Sequence, residues 1–277
     1  MSSNAPLADQ VAVLTGGSGT LGTAMARALA GAGAHVFLLA RGREALDAAV
    51  AALEGVGPPA RGIVCDVLDE AAVAEAAEQV LAQAASLTGE RRCDILVNAA
   101  GGNRPGATVM PEGTFAEVGL DDLRGVFELN LLGTVLPCRA LAPAMAARGR
   151  GCIVNVSSMA AQQPLTRVVG YSAAKAAVDN FTRWLAVELA TKHGEGLRVN
   201  AIAPGFFLAE QNRALLTNPD GSLTARGQTI ISQTPAGRFG RPDELASTLL
   251  WLCDPASAFV TGVVVPVDGG FSAFGGV

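Results

Sequence analysis

The sequence predicts an α/β fold in which a doubly wound parallel sheet carries helices on both faces. Three observations predict it. Seven short runs of β-branched and aliphatic residues recur, Ala-rich segments with helical periodicity separate them, and no Pro-, Ser- or charge-rich linker divides the chain. We therefore expect a single domain that spans residues 1–277. Hydrophobic residues make up 50% of the chain and charged residues 16%, which supplies a large core and excludes a globally disordered protein.

The predicted elements follow in order from the two alternating patterns. The hydrophobic runs, beginning with VAVLT and HVFLLA, predict strands at 11–15, 35–40, 62–66, 94–99, 152–157, 197–203 and 262–267. The Ala-rich segments predict helices at 20–32, 43–54, 69–86, 121–147, 170–192 and 242–252. Because the carboxyl ends of parallel strands meet at one edge of a sheet, we expect polar residues just after the strands to line a ligand crevice.

The segment after the sixth strand, residues 205–234, has neither pattern. It contains the turn-forming sequence Asn218-Pro219-Asp220-Gly221. A long irregular segment inside a compact domain is usually either a lid over a site or a disordered loop. Its hydrophobic residues favour a lid-like insertion: Phe206, Phe207, Leu208, Leu215 and Leu216.

Charge and hydropathy exclude two classes of partner. The chain has 20 Lys and Arg against 25 Asp and Glu, with a net charge of −5 and no basic run, so we expect no nucleic-acid partner. No uninterrupted hydrophobic run approaches the roughly 18 residues of a membrane span, and the amino-terminal residues lack the pattern of a signal sequence. We expect a cytoplasmic protein with a small-molecule substrate and no membrane partner.

The cysteines predict neither a disulfide framework nor a metal site. Their number is odd, they are widely spaced without a CxxC motif, and the chain has only two histidines. We expect all five to be small core residues: Cys65, Cys93, Cys138, Cys152 and Cys253.

A glycine-rich segment joins the first predicted strand to the first predicted helix. It reads Thr15-Gly16-Gly17-Ser18-Gly19-Thr20-Leu21-Gly22. Glycines permit a tight turn and a close backbone approach, so the helix amino terminus can direct unpaired N–H groups and its positive dipole end at a pyrophosphate. We expect this segment to bind a dinucleotide cofactor, the alternative being glycines that serve the turn alone.

The end of the second strand predicts which nicotinamide cofactor is used. An acidic residue at this place typically binds the ribose 2′-OH of NAD. Here the sequence is Ala40-Arg41-Gly42-Arg43, without an acid. Arg41, with Arg43 close by, can pair with a 2′-phosphate through charge-assisted hydrogen bonds. We expect NADP, with NAD as the alternative if both arginines are solvated surface charges.

A tyrosine and a lysine are placed for proton transfer. Tyr171, the only tyrosine, precedes Lys175 by four residues in a strongly helical segment, so both side chains lie on one helix face. A neighbouring ammonium group stabilises a phenolate and lowers the pKa of a phenol that otherwise titrates near ~10. Ser158 follows the fifth strand at the edge of the crevice, where a hydroxyl can hold a substrate oxygen.

The order of these motifs resembles that of the classical short-chain dehydrogenase/reductase family, whose members share the Rossmann fold. The resemblance spans residues 10–271. It rests on the glycine-rich segment, Asp66, Asn98-Ala99-Ala100-Gly101, Asn130, Ser158, Tyr171-x-x-x-Lys175, Pro204-Gly205 and Val267-Asp268-Gly269-Gly270. Two positions depart from the family pattern, since Thr20 replaces its middle glycine and Ala209 replaces a threonine that binds the carboxamide of the cofactor.

The resemblance implies a role for each matching residue. Tyr171 is the expected general acid/base, Lys175 lowers its pKa and holds the nicotinamide ribose, and Ser158 polarises the carbonyl. Asn130 is expected to kink its helix and hold a water molecule of the proton relay. The cofactor is also expected to contact Asp66 and Val67 at the adenine, Asn98, Ala99 and Gly101 beside the adenine ribose, and Pro204 with Gly205 at the nicotinamide.

A finer resemblance, to mannonate and fructuronate oxidoreductases, rests on AAGGNRPGAT (99–108), FELNLLGTVLP (127–137), APGFFLAEQNRALLT (203–217) and DGGFSAFGGV (268–277). A sugar acid needs a cation for its carboxylate and amides for its hydroxyl groups. The expected substrate-binding residues are Asn103, Arg104, Gln211, Asn212 and Arg213. Arg167 competes for the carboxylate, and Arg104 and Arg213 can instead be surface charges or subunit contacts.

We therefore expect NAD(P)-dependent interconversion of a secondary alcohol and a ketone on a sugar acid. One alternative is a reductase of an apolar ketone or acyl thioester; another is a catalytically inactive nucleotide-sensing regulator, which has no use for Tyr171 together with Lys175. The family resemblance also implies a homotetramer. An apolar stripe would form one interface, unless it faces only the sheet of its own chain: Phe181, Trp184, Leu185 and Leu189.

Overall fold

The structure, a computed structural model, describes residues 5–276 apart from the side chains of Glu210 and Gln211. Its strands are β1 (Val11–Thr15), β2 (His35–Ala40), β3 (Arg61–Val64), β4 (Ile95–Asn98), β5 (Gly151–Val156), β6 (Leu197–Pro204) and β7 (Val264–Val267). They form one parallel sheet in the order β3-β2-β1-β4-β5-β6-β7. The strand order reverses between β1 and β4, which places a ligand crevice there and confirms the doubly wound fold.

Helices cover both faces of this sheet. They are α1 (Thr20–Gly31), α2 (Arg43–Ala51), α3 (Glu70–Thr88), α4 (Leu120–Phe127), α5 (Gly133–Ala147), α6 (Val169–His193), α7 (Glu210–Leu216), α8 (Ala225–Ser232) and α9 (Ala246–Cys253). One hydrophobic cluster joins α1, α2 and α9 to the sheet, and a second joins α3, α5 and α6 to it. All five cysteines are buried and unpaired, as predicted.

The predicted helix 121–147 is interrupted. The structure divides it into α4 and α5 around a π-helical turn, Glu128–Leu132. The side-chain amide of Asn130, at its centre, donates to the carbonyl of Val126, four residues earlier, at 2.8 Å. It thereby competes with the backbone N–H that bonds to such a carbonyl in a regular α-helix, which is a recognised cause of a local irregularity.

The same stretch, Leu120–Ala147, is long and apolar enough to cross a membrane by length and composition, with a mean hydropathy of 1.2. It is not an uninterrupted hydrophobic run, because it contains charged residues such as Arg124 and Glu128. A helix that packs on a sheet passes the same test. Here α5 lies on α3 and on the strands β4 and β5, and its residues Leu141 and Met145 are buried in the core.

The segment 205–234 contains two short helices, α7 and α8, rather than only irregular backbone. Phe207 and Leu216 are buried, so the insertion is anchored to the domain by apolar contacts. Leu215 is 62% exposed and is not part of that anchor. The two helices are joined by a turn in which Thr217 bridges to Leu223.

Candidate active site

The glycine-rich segment leaves room for a ligand at the amino terminus of α1. Gly16 has a left-handed φ of +65°, and a Cβ atom there would lie 2.7 Å from the amide nitrogen of Ala100. A Cβ on Gly22 would lie 2.2 Å from the carbonyl oxygen of Gly16. Gly19 caps α1 without a side-chain hydrogen bond. Backbone N–H groups at this helix start therefore stay available, which fits a pyrophosphate.

Thr20 stands at the middle glycine of the family pattern, and Gly19 supplies a glycine one residue earlier. The turn still forms. Thr20 begins α1, and its predecessor Gly19 adopts the extended backbone of an N-cap residue. A Cβ on Gly19 would meet only the carbonyl oxygen of Gly16, at 3.4 Å. The close approaches that demand glycine occur instead at Gly16, Gly17 and Gly22.

A cavity of about 750 Å³ runs from this helix start across the carboxyl edge of the sheet. Most of the predicted cofactor-binding residues line it: Gly16, Ser18, Gly19, Thr20, Leu21, Gly22, Arg41, Val67, Ala99, Gly101, Tyr171, Lys175, Pro204 and Gly205. Its shape is continuous from the phosphate end to Tyr171. The residues present therefore fit a nicotinamide dinucleotide.

Two predicted cofactor residues, Asp66 and Asn98, do not line this cavity. The carboxylate of Asp66 accepts a hydrogen bond from the amide of Leu68 at 3.0 Å and shapes the turn before α3. The amide of Asn98 is buried and donates to Asn155 at 2.9 Å. Both side chains fix backbone beside the cavity, at Val67 and at the end of β4.

The structure separates the two arginines after β2. Arg41 is exposed and lines the cavity. Arg43 starts α2 instead, where its guanidinium lies 3.8 Å from the carboxylate of Asp47 on the surface. Of the two arginines, only Arg41 lines the cavity.

The four predicted catalytic residues are brought together at the other end. Ser158 follows β5, Tyr171 and Lys175 lie on α6, and Asn130 lies in the π-helical turn. Ser158 and Tyr171 both line the cavity, close enough for Ser158 to act on the pKa of the Tyr171 phenol. The Nζ atom of Lys175 lies 5.8 Å from the centre of the Tyr171 ring. This grouping places a hydroxyl pair where a substrate oxygen can enter the cavity.

Asn130 holds the loop that follows β4. Its side chain is fully buried, donates to the carbonyl of Gly102 at 2.7 Å and accepts from the amide of Gly102 at 3.1 Å. A Cβ on the adjacent Gly101 would lie 2.7 Å from Asn130 Oδ1 and 3.0 Å from Lys175 Nζ. The helix irregularity at Asn130 and the glycine at 101 are therefore parts of one close contact.

Burial sets the proton affinities of the pair on α6. It raises the pKa of Tyr171, an effect that the hydrogen bond from Ser158 partly offsets. It also lowers the pKa of Lys175 to about 8, although Asp179 acts in the opposite direction. The lowering of the Tyr171 pKa by Lys175 that the family resemblance implies stays a prediction. The Lys175 ammonium donates at 2.7 Å to the carbonyl of Val156.

Two residues behind Lys175 escaped the sequence analysis. Ser157 donates a short hydrogen bond to Asp179, and both are buried. Burial raises the pKa of Asp179, while Ser157, Arg183 and Lys175 lower it. The position of Asp179, four residues after Lys175, was a signal that could have revealed this contact.

The predicted substrate residues are dispersed. Asn212 lines the cavity, and its side chain accepts from the amide of Ala209 and donates to the carbonyl of Phe207, both at 2.8 Å. Arg213 is exposed and does not line it. The side chain of Gln211 lies outside the described residues. At the start of α7, Asn212 thus stabilises the backbone around Ala209, where the family threonine is missing.

The loop after β4 carries the other two predicted substrate residues. Asn103 is exposed and donates to Thr108 at 2.8 Å. The guanidinium of Arg104 packs against Gly125 of α4, where a Cβ would lie 2.1 Å from it. Neither side chain lines the cavity, so in this structure they stabilise their own loop.

Two aromatic residues line the cavity beside the nicotinamide end, Phe206 and Phe207. Phe206 packs edge-to-face on Phe271, with ring centres 5.3 Å apart, which ties the insertion to the carboxyl-terminal segment. The sequence identified both as lid residues but not as cavity residues. It showed that they follow a strand, but it did not show the direction of their side chains.

Comparisons with known proteins agree with this arrangement. Residues 17–272 match the family model described as enoyl-(acyl carrier protein) reductase. The chain is 46% identical to the Bacillus subtilis (strain 168) protein called uncharacterized oxidoreductase UxuB, over 98% of both chains. It is 35% identical to D-threitol dehydrogenase of Mycolicibacterium smegmatis, over 95% of this chain and 93% of that one.

A solved structure is similar over the whole length. A Haemophilus protein, proposed to be a D-mannonate oxidoreductase and crystallised with NAD, superposes with a TM-score of 0.89. It is 41% identical and covers 99% of both chains. The similarity therefore spans the sheet and the insertion with α7 and α8.

Proposed function

Because the chain belongs to the short-chain dehydrogenase/reductase family, and is an NAD(P)-dependent oxidoreductase of alcohol and ketone substrates, we propose that it acts on a sugar acid of the D-mannonate or D-fructuronate type. The observation that carries the proposal is the 41% identity to the Haemophilus protein across 99% of both chains, including the insertion. Asn212 supports it, because a carboxamide at the cavity can bind a substrate hydroxyl group.

The residues around Tyr171 account for the proton half of the reaction. When bound, the cofactor supplies the hydride acceptor for an alcohol or the hydride donor for a ketone. In reduction, Tyr171 Oη donates its proton to the carbonyl oxygen, which Ser158 holds in place by a hydrogen bond. In oxidation, the same oxygen atom takes the proton of the alcohol. Lys175 is anchored to the carbonyl of Val156 at the end of β5, and Asn130 is anchored to Gly102 in the loop after β4.

A second candidate substrate is an apolar ketone or acyl thioester. Phe206 and Phe207 favour it because both rings line the cavity near Tyr171. Apolar side chains also bind the carbon skeleton of a sugar, so their presence does not exclude a sugar acid. The two candidates differ in whether the substrate carries a carboxylate.

A substrate panel separates the two candidates. We expect oxidation of D-mannonate with kcat/KM at least about tenfold above that of D-mannitol, corresponding to about 1.4 kcal/mol. The measurement is the absorbance of the reduced nicotinamide with each of NADP⁺ and NAD⁺, together with reduction of an aliphatic ketone. If the neutral polyol or the ketone is used as efficiently as any hexonate, the sugar-acid proposal is wrong and the family assignment stands.

We propose NADP(H) as the preferred cofactor. Arg41 supports this, because it lines the adenosine end of the cavity at the place where NAD-dependent relatives need an acid. The Haemophilus protein was crystallised with NAD, so NAD is the alternative that the assay must separate.

Replacing Arg41 with Ala tests this preference. We expect the ratio of kcat/KM for NADP⁺ to that for NAD⁺ to fall at least about tenfold, because a charge-assisted contact with the 2′-phosphate is lost. Arg43→Ala is the matched control, since Arg43 is a neighbouring exposed arginine that faces Asp47. Equal ratios in wild type and Arg41→Ala contradict the proposal.

We propose that the protein is a homotetramer. An apolar groove of about 780 Å³ lies between α5 and α6 and supports this assembly. The predicted apolar stripe on α6 has two parts. Leu185 and Leu189 are buried in the core of their own chain, whereas Trp184 is 56% exposed and stacks on Phe181. A second copy of α5 and α6, related by a two-fold axis, would cover the groove.

Replacing Trp184 with Glu should weaken this assembly. We expect wild type to sediment at about four times the 28.0 kDa mass of the chain and the variant to shift to smaller species, since a carboxylate cannot be buried unpaired. Phe115→Glu, at another exposed aromatic residue outside the groove, serves as the control. A wild-type species of one chain mass at micromolar concentration would exclude the tetramer.

A further inference from the structure

A second cavity, of about 470 Å³, adjoins the first. Its walls are the segment 163–167 that follows Ser158, the helix α8 of the insertion, and Phe271. Phe206 lines both cavities, so the two cavities meet at this side chain.

Two arginines line this second cavity, Arg167 and Arg226. No acidic residue is among the residues that line it. Within the described part of the chain, neither guanidinium takes part in an ion pair. The pair therefore presents two positive charges to a partly enclosed space without a counterion from the described residues.

The placement of Arg226 is unfavourable in the protein alone. It lies in the first turn of α8, where the positive end of the helix dipole repels a cation. Burial and the charge of Arg167 both lower the pKa of Arg226, which shows that the two guanidinium groups lie close enough to repel each other. An anion between them would remove this repulsion.

The backbone at Arg167 is also unusual. Its φ is +76°, in the left-handed region that residues with a side chain rarely adopt. The carbonyl of Arg167 accepts a hydrogen bond from the amide of Val109 at 2.9 Å, which anchors this conformation to the loop after β4. Arg167 therefore combines a strained backbone with a side chain that lines the second cavity.

We propose that Arg167 and Arg226 form an anion-binding subsite that holds the carboxylate of the substrate while its hydroxyl-bearing carbon lies at Tyr171. This inference rests on the proposed function. It moves the carboxylate site from Arg104 and Arg213, neither of which lines a cavity beside Tyr171, to the junction of segment 163–167 and α8. Since α8 belongs to the insertion, binding of the acid would draw this part of the lid-like segment against the catalytic loop.

Calorimetric titration of D-mannonate into the enzyme saturated with oxidised cofactor tests the subsite, with D-mannitol as the neutral probe. We expect Arg226→Gln and Arg167→Gln each to weaken D-mannonate binding about 10- to 100-fold and to leave the binding of D-mannitol within about twofold. Arg226→Lys should recover part of the affinity, because it keeps the charge. Arg150→Gln is the matched control, an exposed arginine at the opposite, amino-terminal edge of the sheet. Thermal melts establish that the variants are folded.

The outcomes separate the subsite from the proposed function. D-Mannonate binding that depends on Arg226 without turnover supports the subsite and refutes the sugar-acid reaction. Turnover of D-mannonate that is unaffected by Arg226→Gln and Arg167→Gln, or lost in Arg213→Gln instead, overturns the subsite and leaves the reaction standing. Tighter binding of D-mannose 6-phosphate than of D-mannonate would assign the pair to a phosphate rather than a carboxylate and also overturn the proposal.

Discussion

Tyr171→Phe is expected to lower kcat by about 10²- to 10⁴-fold, the contribution typical of a positioned general acid or base. The phenyl ring keeps the bulk of the side chain but removes the hydroxyl that lines the cavity beside Ser158. Cofactor affinity should change less than about twofold, because the lost group acts on the substrate oxygen. Steady-state turnover and a fluorescence titration of the cofactor measure the two quantities separately.

The pH dependence of wild type provides an independent check. Burial raises the pKa of Tyr171, so the phenol stays protonated at neutral pH in the protein alone. Reduction needs the protonated form and should fall only as pH rises through this raised pKa, whereas oxidation needs the phenolate and should increase over the same range. Retention of more than about a tenth of wild-type kcat in Tyr171→Phe, or a pH profile that the variant does not alter, would show that another group transfers the proton.

Lys175→Met is expected to lower both kcat and cofactor affinity, with a combined loss in kcat/KM of at least about 100-fold. A Cβ atom added to Gly101 would lie 3.0 Å from the Nζ atom of Lys175, which donates to the carbonyl of Val156 at 2.7 Å. Lys175 therefore lies between the loop after β4 and the end of β5. Loss of this cation removes a donor for the cofactor ribose and the charge that favours the phenolate. Ser172→Ala, at a buried neighbour on α6, is the control for disturbance of the helix.

A stability measurement distinguishes these roles from simple packing. The pKa of Lys175 is lowered to about 8 in the folded protein, against 10.5 for the free side chain. Between these pH values the unfolded chain binds more protons, so the stability of wild type should rise relative to Lys175→Met as pH increases from 8 to 10.5. Below that range the desolvated ammonium group destabilises wild type in full. An unfolding free energy difference that is independent of pH would show that Lys175 is not desolvated.

Short-range sequence signals were sufficient for the phosphate end of the site. The run at β1 leads directly into the glycines, and Gly16, Gly17 and Gly22 are required by contacts within that turn or with adjacent strands. The placement of Tyr171 and Lys175 was also predictable, because helical spacing alone puts them on one helix face. These features depend on neighbours in sequence or on an element of regular geometry, which is why they could be predicted.

Other features required contacts that spacing does not reveal. The helix predicted over 121–147 contains a π-helical turn at Asn130, whose side-chain amide bonds both to Val126 and to Gly102 in the loop after β4. The burial that raises the pKa of Tyr171 could not be deduced from the spacing of Tyr171 and Lys175 either. Arg104 was predicted to bind the substrate, but its guanidinium packs on Gly125.

The sequence by itself determined the doubly wound sheet, the position of the glycine-rich turn and the placement of Tyr171 and Lys175 on one helix face, since periodicity and a strand–turn–helix junction are local properties of the chain. Only the tertiary structure decided which arginines face the cavities: Arg41 rather than Arg43, and Arg167 with Arg226 rather than Arg213. The direction of a loop side chain depends on the elements packed against that loop, and those elements are distant in sequence. Residues 163–167 and α8 meet only because the sheet brings the ends of β5 and β6 to the same edge.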